Sequence, residues 1–335
     1  MSERINLLIC AMLVAAVAGH GQGRGAPQAP RPDNPQSLAH IAAAKKIAGR
    51  DSFLANPYNF FCVAGNARAQ NNNAPDLDPI KLFDNVYAIG NSETAVYALT
   101  ASDGIVLLDA GFENKVESVL VPQLRKLGLD PSRVKYILLG HGHGDHFGGS
   151  KYFQDHYGTK IAATSADWDL INPPNPSANP NQKGAPLARP KKDVVLGEGQ
   201  PFKFGDLTIT PIAIPGHTPG ALGFIFPVKD KGKTRMAGLF GGTVLTSNII
   251  TTEGLKQYTQ SIAHYLDAAK KMNVEVELQN HPIFDDMPGK LAKLKAAKAG
   301  DPSPFIVGNN RYLKMWNIVS ECIQAEIARR ASSSD

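Results

Sequence analysis

Cysteine is scarce in this chain, with three residues in 335, which excludes a disulfide scaffold and a cysteine-rich zinc fold. Charge is sparse as well. Asp, Glu, Lys and Arg together make up 19% of the residues and the formal net charge is only +5. Lys and Arg are spread along the chain, so no basic tract points to nucleic acid. No apolar run reaches the roughly twenty residues needed to cross a bilayer. Disorder is excluded by the 43% hydrophobic content. The 31 glycines and 24 prolines sit in clusters, without a collagen-like period. What remains is a globular chain long enough to bury a large core. Its length allows about two domains, although α/β chains of this size often form one.

The N-terminus looks like an address. One basic residue, Arg4, precedes the almost wholly apolar run Ile5–Gly19, and Ala16-Val17-Ala18 supplies a small-x-small cleavage pattern. We expect a secretory signal over residues 1–18, leaving no membrane span after cleavage and a periplasmic or secreted protein. An uncleaved anchor is the competing reading. Cys10 lies inside the run, so the mature chain keeps Cys62 and Cys322. An oxidising compartment would let these two pair, but two free buried thiols satisfy the sequence equally well.

Residues 19–79 read as a flexible N-terminal segment with one lead-in helix at Leu38–Ala48, followed by a single catalytic domain over 80–335. Strand-like runs rich in Val, Ile, Leu and Tyr occur at Ile80–Gly90, Ala95–Thr100, Ile105–Leu108, Val134–Leu139 and Lys160–Ala163. A second series comprises Val194–Leu196, Pro201–Phe204, Leu207–Ile214, Leu222–Val228, Met236–Phe240 and Val274–Leu278. Helical spacing appears between them, as at Asn114–Leu127 and Gln257–Met272. The Pro-rich stretch Asn172–Pro190 divides the two series. The order implies an α/β fold of two similar halves, with sheets facing each other and helices outside.

The chemistry concentrates where the apolar run Val134–Leu139 ends. Gly140-His141-Gly142-His143-Gly144-Asp145-His146 follows it directly. The glycines allow sharp turns, so His141, His143, Asp145 and His146 can converge. Imidazoles with one carboxylate suit zinc, and this many donors suggests two ions. Pro215-Gly216-His217-Thr218-Pro219-Gly220 and Gln279-Asn280-His281-Pro282 each put a further histidine after a strand.

The His141-x-His143-x-Asp145-His146 pattern resembles the signature of the metallo-β-lactamase superfamily, whose fold is an αββα sandwich of two similar halves. The resemblance implies that His217 and His281 complete the ligand set. Many superfamily hydrolases carry a bridging aspartate between the equivalents of these two histidines. Here Leu239-Phe240-Gly241-Gly242-Thr243-Val244 holds no acid, which argues against thioesterases, lactonases and phosphodiesterases of that type. The zinc-binding cysteine of subclass B1 β-lactamases is also missing from this region. Subclass B3 is the most similar remaining branch. It implies one zinc on His141, His143 and His217 and another on Asp145, His146 and His281, hence two Zn²⁺ as cofactors.

The implied reaction is opening of the β-lactam amide by attack of a zinc-bound hydroxide, with Asp145 orienting it as the catalytic carboxylate. The implied partner is a small-molecule substrate, with no nucleic acid. No recognisable Ser or Cys nucleophile motif competes with this reading. The alternative is a B3-like zinc hydrolase of another amide, ester or lactone with little β-lactam turnover. Candidate substrate contacts are Thr243, Ser247, Asn248 and Trp168.

Overall fold

The computed structural model describes residues 31–64, 74–173, 187–243, 250–298 and 300–332. The signal-like run, most of the Pro-rich stretch, and the candidates Ser247 and Asn248 lie outside these residues. Two sheets form the centre. The first runs in the order β1 (Ile80–Phe83), β2 (Val86–Gly90), β3 (Ala95–Ala101), β4 (Gly104–Leu108), β5 (Val134–Leu138), β6 (Lys160–Ala163) and β7 (Val194–Val195). Its first four strands pair antiparallel and the rest parallel. In the second sheet, β12 (Val274–Leu278) pairs parallel with β11 (Lys233–Phe240). Antiparallel pairs then lead through β10 (Leu222–Asp230) and β9 (Leu207–Ala213) to β8 (Phe202–Phe204). Two prolines inside strands, Pro211 and Pro227, fall beyond the paired stretches of β8 and β9 respectively, where no ladder donor is lost.

The two sheets share a plan. In the first, hairpin β3–β4 is followed by a helical crossover ending in α3 (Val121–Lys126), then by parallel β5. In the second, hairpin β10–β11 is followed by α7 (Thr252–Lys271), then by parallel β12. This is the repeat of similar halves that the order of elements predicts.

Three apolar layers result. Leu99, Val106 and Leu138 meet Phe224, Leu239 and Val276 between the sheets. Leu107, Ile137 and Ile161 face outward against Leu124, Phe153 and Trp168, contributed by α3, α5 (Ser150–Tyr157) and α6 (Ser165–Ile171). On the far side, Ile225 and Phe240 pack under α7 and α9 (Asn309–Ala331) through Tyr258, Tyr265 and Trp316. β4 reads Gly-Ile-Val-Leu-Leu and is buried throughout, as a strand covered on both faces must be. The protein is therefore a two-sheet α/β sandwich.

The N-terminal segment departs from expectation. α1 (Pro35–Ala48) is followed by α2 (Ser52–Tyr58) and a wide helical turn at Asn59–Val63. All three pack on α9, burying Ala44, Leu54 and Phe61. The folded unit thus begins well before residue 80. Pro57, inside α2, masks the helix in the sequence. A disulfide joins Cys62 to Cys322 on α9, with Cα atoms 4.9 Å apart, which resolves the open question about these thiols. Among the described residues no helix is long and apolar enough to cross a membrane.

Candidate metal centre

The histidine motif starts where β5 stops. A Cβ at Gly140 would stand 3.0 Å from the Cα of Gly241 on the other half, tighter than ordinary packing. Gly241 is more constrained still, since its own Cβ would run into Leu222 O and stand 2.7 Å from Gly140 Cα. The halves therefore touch backbone to backbone at the floor of the site. Loops at the ends of β4, β5, β9, β11 and β12 converge there, and the short helix α4 (Gly144–Phe147) carries Asp145 and His146.

Six donors gather in two sets. His217 Nε2 lies 3.0 Å from His141 Nε2 and 3.1 Å from His143 Nδ1. Ligands of a tetrahedral zinc with bonds of about 2.05 Å stand about 3.3 Å apart. His146 Nε2 lies 3.2 Å from His281 Nε2, and Asp145 Oδ2 lies 3.5 and 3.9 Å from those two atoms. Among the described residues, His141, His143 and His217 form one group able to hold a metal, and His141, Asp145 and His146 form another. His141 belongs to both, so the two sets adjoin.

The partners of each ring decide what it offers. His141 donates its Nδ1–H to Gly241 O at 2.6 Å, and His281 donates its own to Glu93 O at 2.8 Å. Both Nε2 atoms are thereby left as lone-pair donors aimed at the centre. Burial and the neighbouring imidazoles hold His141 and His217 well below the usual histidine range, so both are neutral and ready to ligate. Burial opposes charge on His146 too, but the carboxylates of Asp145 and Asp109 outweigh it and hold the ring at about 10. Those carboxylates favour positive charge where a cation would sit. Burial also pushes Asp145 up, yet the facing histidines win and keep it ionised. The donor set therefore fits a bound metal.

Sequence reasoning passed over the residues that brace this set. Asp109, at the end of β4, accepts from Gly140 N at 2.7 Å, His146 Nδ1 at 2.7 Å and Asn280 Nδ2 at 3.1 Å. Its φ of 65° is a left-handed conformation that a non-glycine residue adopts at a cost. The signal was a lone acid placed immediately after the four apolar residues Ile105–Leu108. Asp167 on α6 accepts from Gly142 N, Thr218 Oγ1 and Gly220 N.

Two candidate substrate contacts are corrected. Trp168 is buried in the outer layer with Phe147 and Ile171, and its indole N–H donates to Val194 O at 2.8 Å. Thr243 is also buried, with its hydroxyl held between Phe240 O at 2.7 Å and Gln279 Oε1 at 2.6 Å. Neither has a surface or a free polar group to offer.

Residues 89–230 match the model of the metallo-β-lactamase superfamily. The chain carries a metallo-β-lactamase domain. Among solved structures it is similar to BJP-1, a subclass B3 metallo-β-lactamase of Bradyrhizobium japonicum. The TM-score is 0.65 and the identity 28%, over 78% of this chain and 97% of that one. The native FEZ-1 metallo-β-lactamase of Legionella gormanii shares the fold at TM-score 0.60 and 24% identity, over 78% of this chain and 94% of that one. Among curated proteins, a hydroxyacylglutathione hydrolase of Acidiphilium cryptum is 31% identical over 94 residues, which are 28% of this chain. That match spans 31% of the relative's own length. The matched segment contains five of the six candidate donors, and His281 lies beyond it.

Proposed function

We propose that this metallo-β-lactamase-domain protein is a dinuclear zinc hydrolase of the B3 type that opens the amide of β-lactams. The observation that carries the proposal is the pairing of the two donor sets, three imidazoles beside Asp145, His146 and His281, with His141 next to both. His141, His143 and His217 would hold one zinc ion, and Asp145, His146 and His281 the other. Zinc bound there supplies Lewis acidity and makes water acidic enough to ionise near neutral pH.

The chain's own residues do the positioning. Asp145 stays ionised and orients the attacking water while it ligates. His143 and His217 are partly exposed, so the substrate approaches from their side. The other four donors are buried beneath. Asp109 and the carbonyls of Gly241 and Glu93 keep the His146, His141 and His281 rings aimed. The disulfide supports a periplasmic or secreted location, because such bonds persist in oxidising compartments.

A second reading is favoured by the hydroxyacylglutathione hydrolase match, namely hydrolysis of an ester or thioester. Gly242 weighs against it. This position lies in the stretch where many such hydrolases carry their bridging acid, and a Cβ here would stand 2.8 Å from His217 Cβ.

Turnover of penicillins, cephalosporins and carbapenems, set beside glutathione thioesters, tests the choice. Chelator-sensitive β-lactam hydrolysis with kcat/KM of about 10⁴ M⁻¹s⁻¹ or more is expected. Faster thioester turnover with negligible β-lactam opening would transfer the assignment to the second reading.

A further inference from the structure

We propose that Asp167 is the positioning residue of the three-histidine set, a single buried carboxylate that ties together the two loops from which His141, His143 and His217 project. The inference rests on the two-ion reading above. Asp167 Oδ2 accepts from Gly142 N, between His141 and His143, at 2.9 Å. The same oxygen accepts from Thr218 Oγ1, next to His217, at 2.9 Å. Oδ1 accepts from Gly220 N at 3.0 Å. The three donors thus come from the loop after β5 and the loop after β9, and these loops belong to different halves of the molecule.

The site is built around this carboxylate. Asp167 is 1% exposed, and burial raises its pKa while the three donors pull it back. Thr164 caps the same helix turn, accepting from Asp167 N and donating to Gly220 O at 2.9 Å. Gly220 can carry no side chain, because a Cβ would run into Thr164 Oγ1 and the Asp167 carboxyl carbon. Gly142 is closed in as well, its Cβ position lying 3.1 Å from Asp167 O. Asp145, His146 and His281 take no bond from Asp167; Asp109 and Glu93 O serve them instead. The division is one of loops: Asp109 also braces the start of the His141 turn through Gly140 N, and Asp167 ties that turn to the His217 loop.

Asparagine cannot replace this carboxylate. Three N–H or O–H donors face it from two sides, and the amide NH₂ of Asn must meet at least one of them donor to donor. Zinc titration in competition with a chromophoric chelator tests the division. Wild type is measured first and should take up two ions per chain; one or none overturns the two-ion reading and this inference with it. Where wild type binds two, Asp167→Asn should weaken one step by about 10–100-fold, the usual cost of losing a ligand's outer partner, and leave the other within about twofold. The loss should persist in a His281→Ala background and vanish in a His217→Ala background. Thr218→Val deletes one of the three bonds with little change of shape. It should show the same selectivity at smaller size, which keeps the test open if Asp167→Asn folds poorly. Equal weakening of both steps, or no change in either, would overturn the inference.

Discussion

His143 and His217 reach partial exposure at the mouth of the centre, while Asp145, His146 and His281 are buried beneath them. The supports differ to match. The buried set is locked by Asp109, which also engages Asn280 and the Gly140 amide, so its anchor sits at the junction of the two halves. The upper set, whose third member His141 is itself buried, has its loops tied by Asp167, which comes from a peripheral helix of seven residues and bonds to two loops rather than to any ring. Burial makes the deeper set rigid at the expense of access. The upper set keeps access and needs an outside brace. The proposed hydrolase function would use both, one site held in place and one face open to substrate.

Predictions follow that contrast from its largest consequence to its smallest. Stripping the metal with a chelator should abolish hydrolysis, and zinc added back should restore it. Retained turnover in metal-free protein, checked by elemental analysis, would break the whole comparison.

Next comes Asp109→Ala. It leaves the His146 ring, the Asn280 amide and the Gly140 N–H without their buried acceptor, and each such loss costs about 1–3 kcal/mol. A loss of about 3 kcal/mol or more in urea unfolding is expected, together with weaker metal binding. A change below about 1 kcal/mol would show that the deep set is not locked through this residue.

The disulfide probes a region remote from both sets. Cys62→Ser should lower stability by about 2–4 kcal/mol and leave the zinc affinity of the folded protein unchanged. Altered zinc affinity would mean that the N-terminal helices help to shape the centre.

The smallest effect belongs to Asp78, an exposed carboxylate between Lys126 and Lys295. Hydrogen bonds from those lysines hold its pKa at about 2. Its contribution is present above the ordinary carboxylate range and fades as the pH falls toward about 2. Water and salt screen so exposed a pair. Asp78→Asn should therefore leave the melting temperature at pH 7 unchanged within error, at low salt and high.

The fold was readable because its strands are local events. Val134–Leu139 is a mostly apolar run, interrupted only by the exposed Lys135, that stops at Gly140, and a strand ending in a site explains that pattern. Nine of the strand-like stretches from residue 95 onward recur as strands within a residue or two. The six candidate donors, which the structure gathers into two adjoining sets, also stood out, on segments that follow strands. What remained hidden depends on contacts between distant parts of the chain. Asp167 reads as the fourth and last residue of a helix-capping pattern that opens with Thr164, and nothing local shows that Gly142, Thr218 and Gly220 come to meet it. Trp168 and Thr243 lie close to the ligands, yet their polar groups turn inward to Val194 and Gln279. α2 was masked by Pro57, and its place is set by the apolar face of α9 some 260 residues away in sequence.

The central claim is that two metal ions sit in two defined sets of three ligands. Diffraction from crystals of the zinc-loaded protein, recorded on either side of the zinc absorption edge, locates the ions without reference to activity. The account predicts two anomalous peaks, one among His141, His143 and His217 and the other among Asp145, His146 and His281. A single peak, or a second ion held by other side chains, would contradict it.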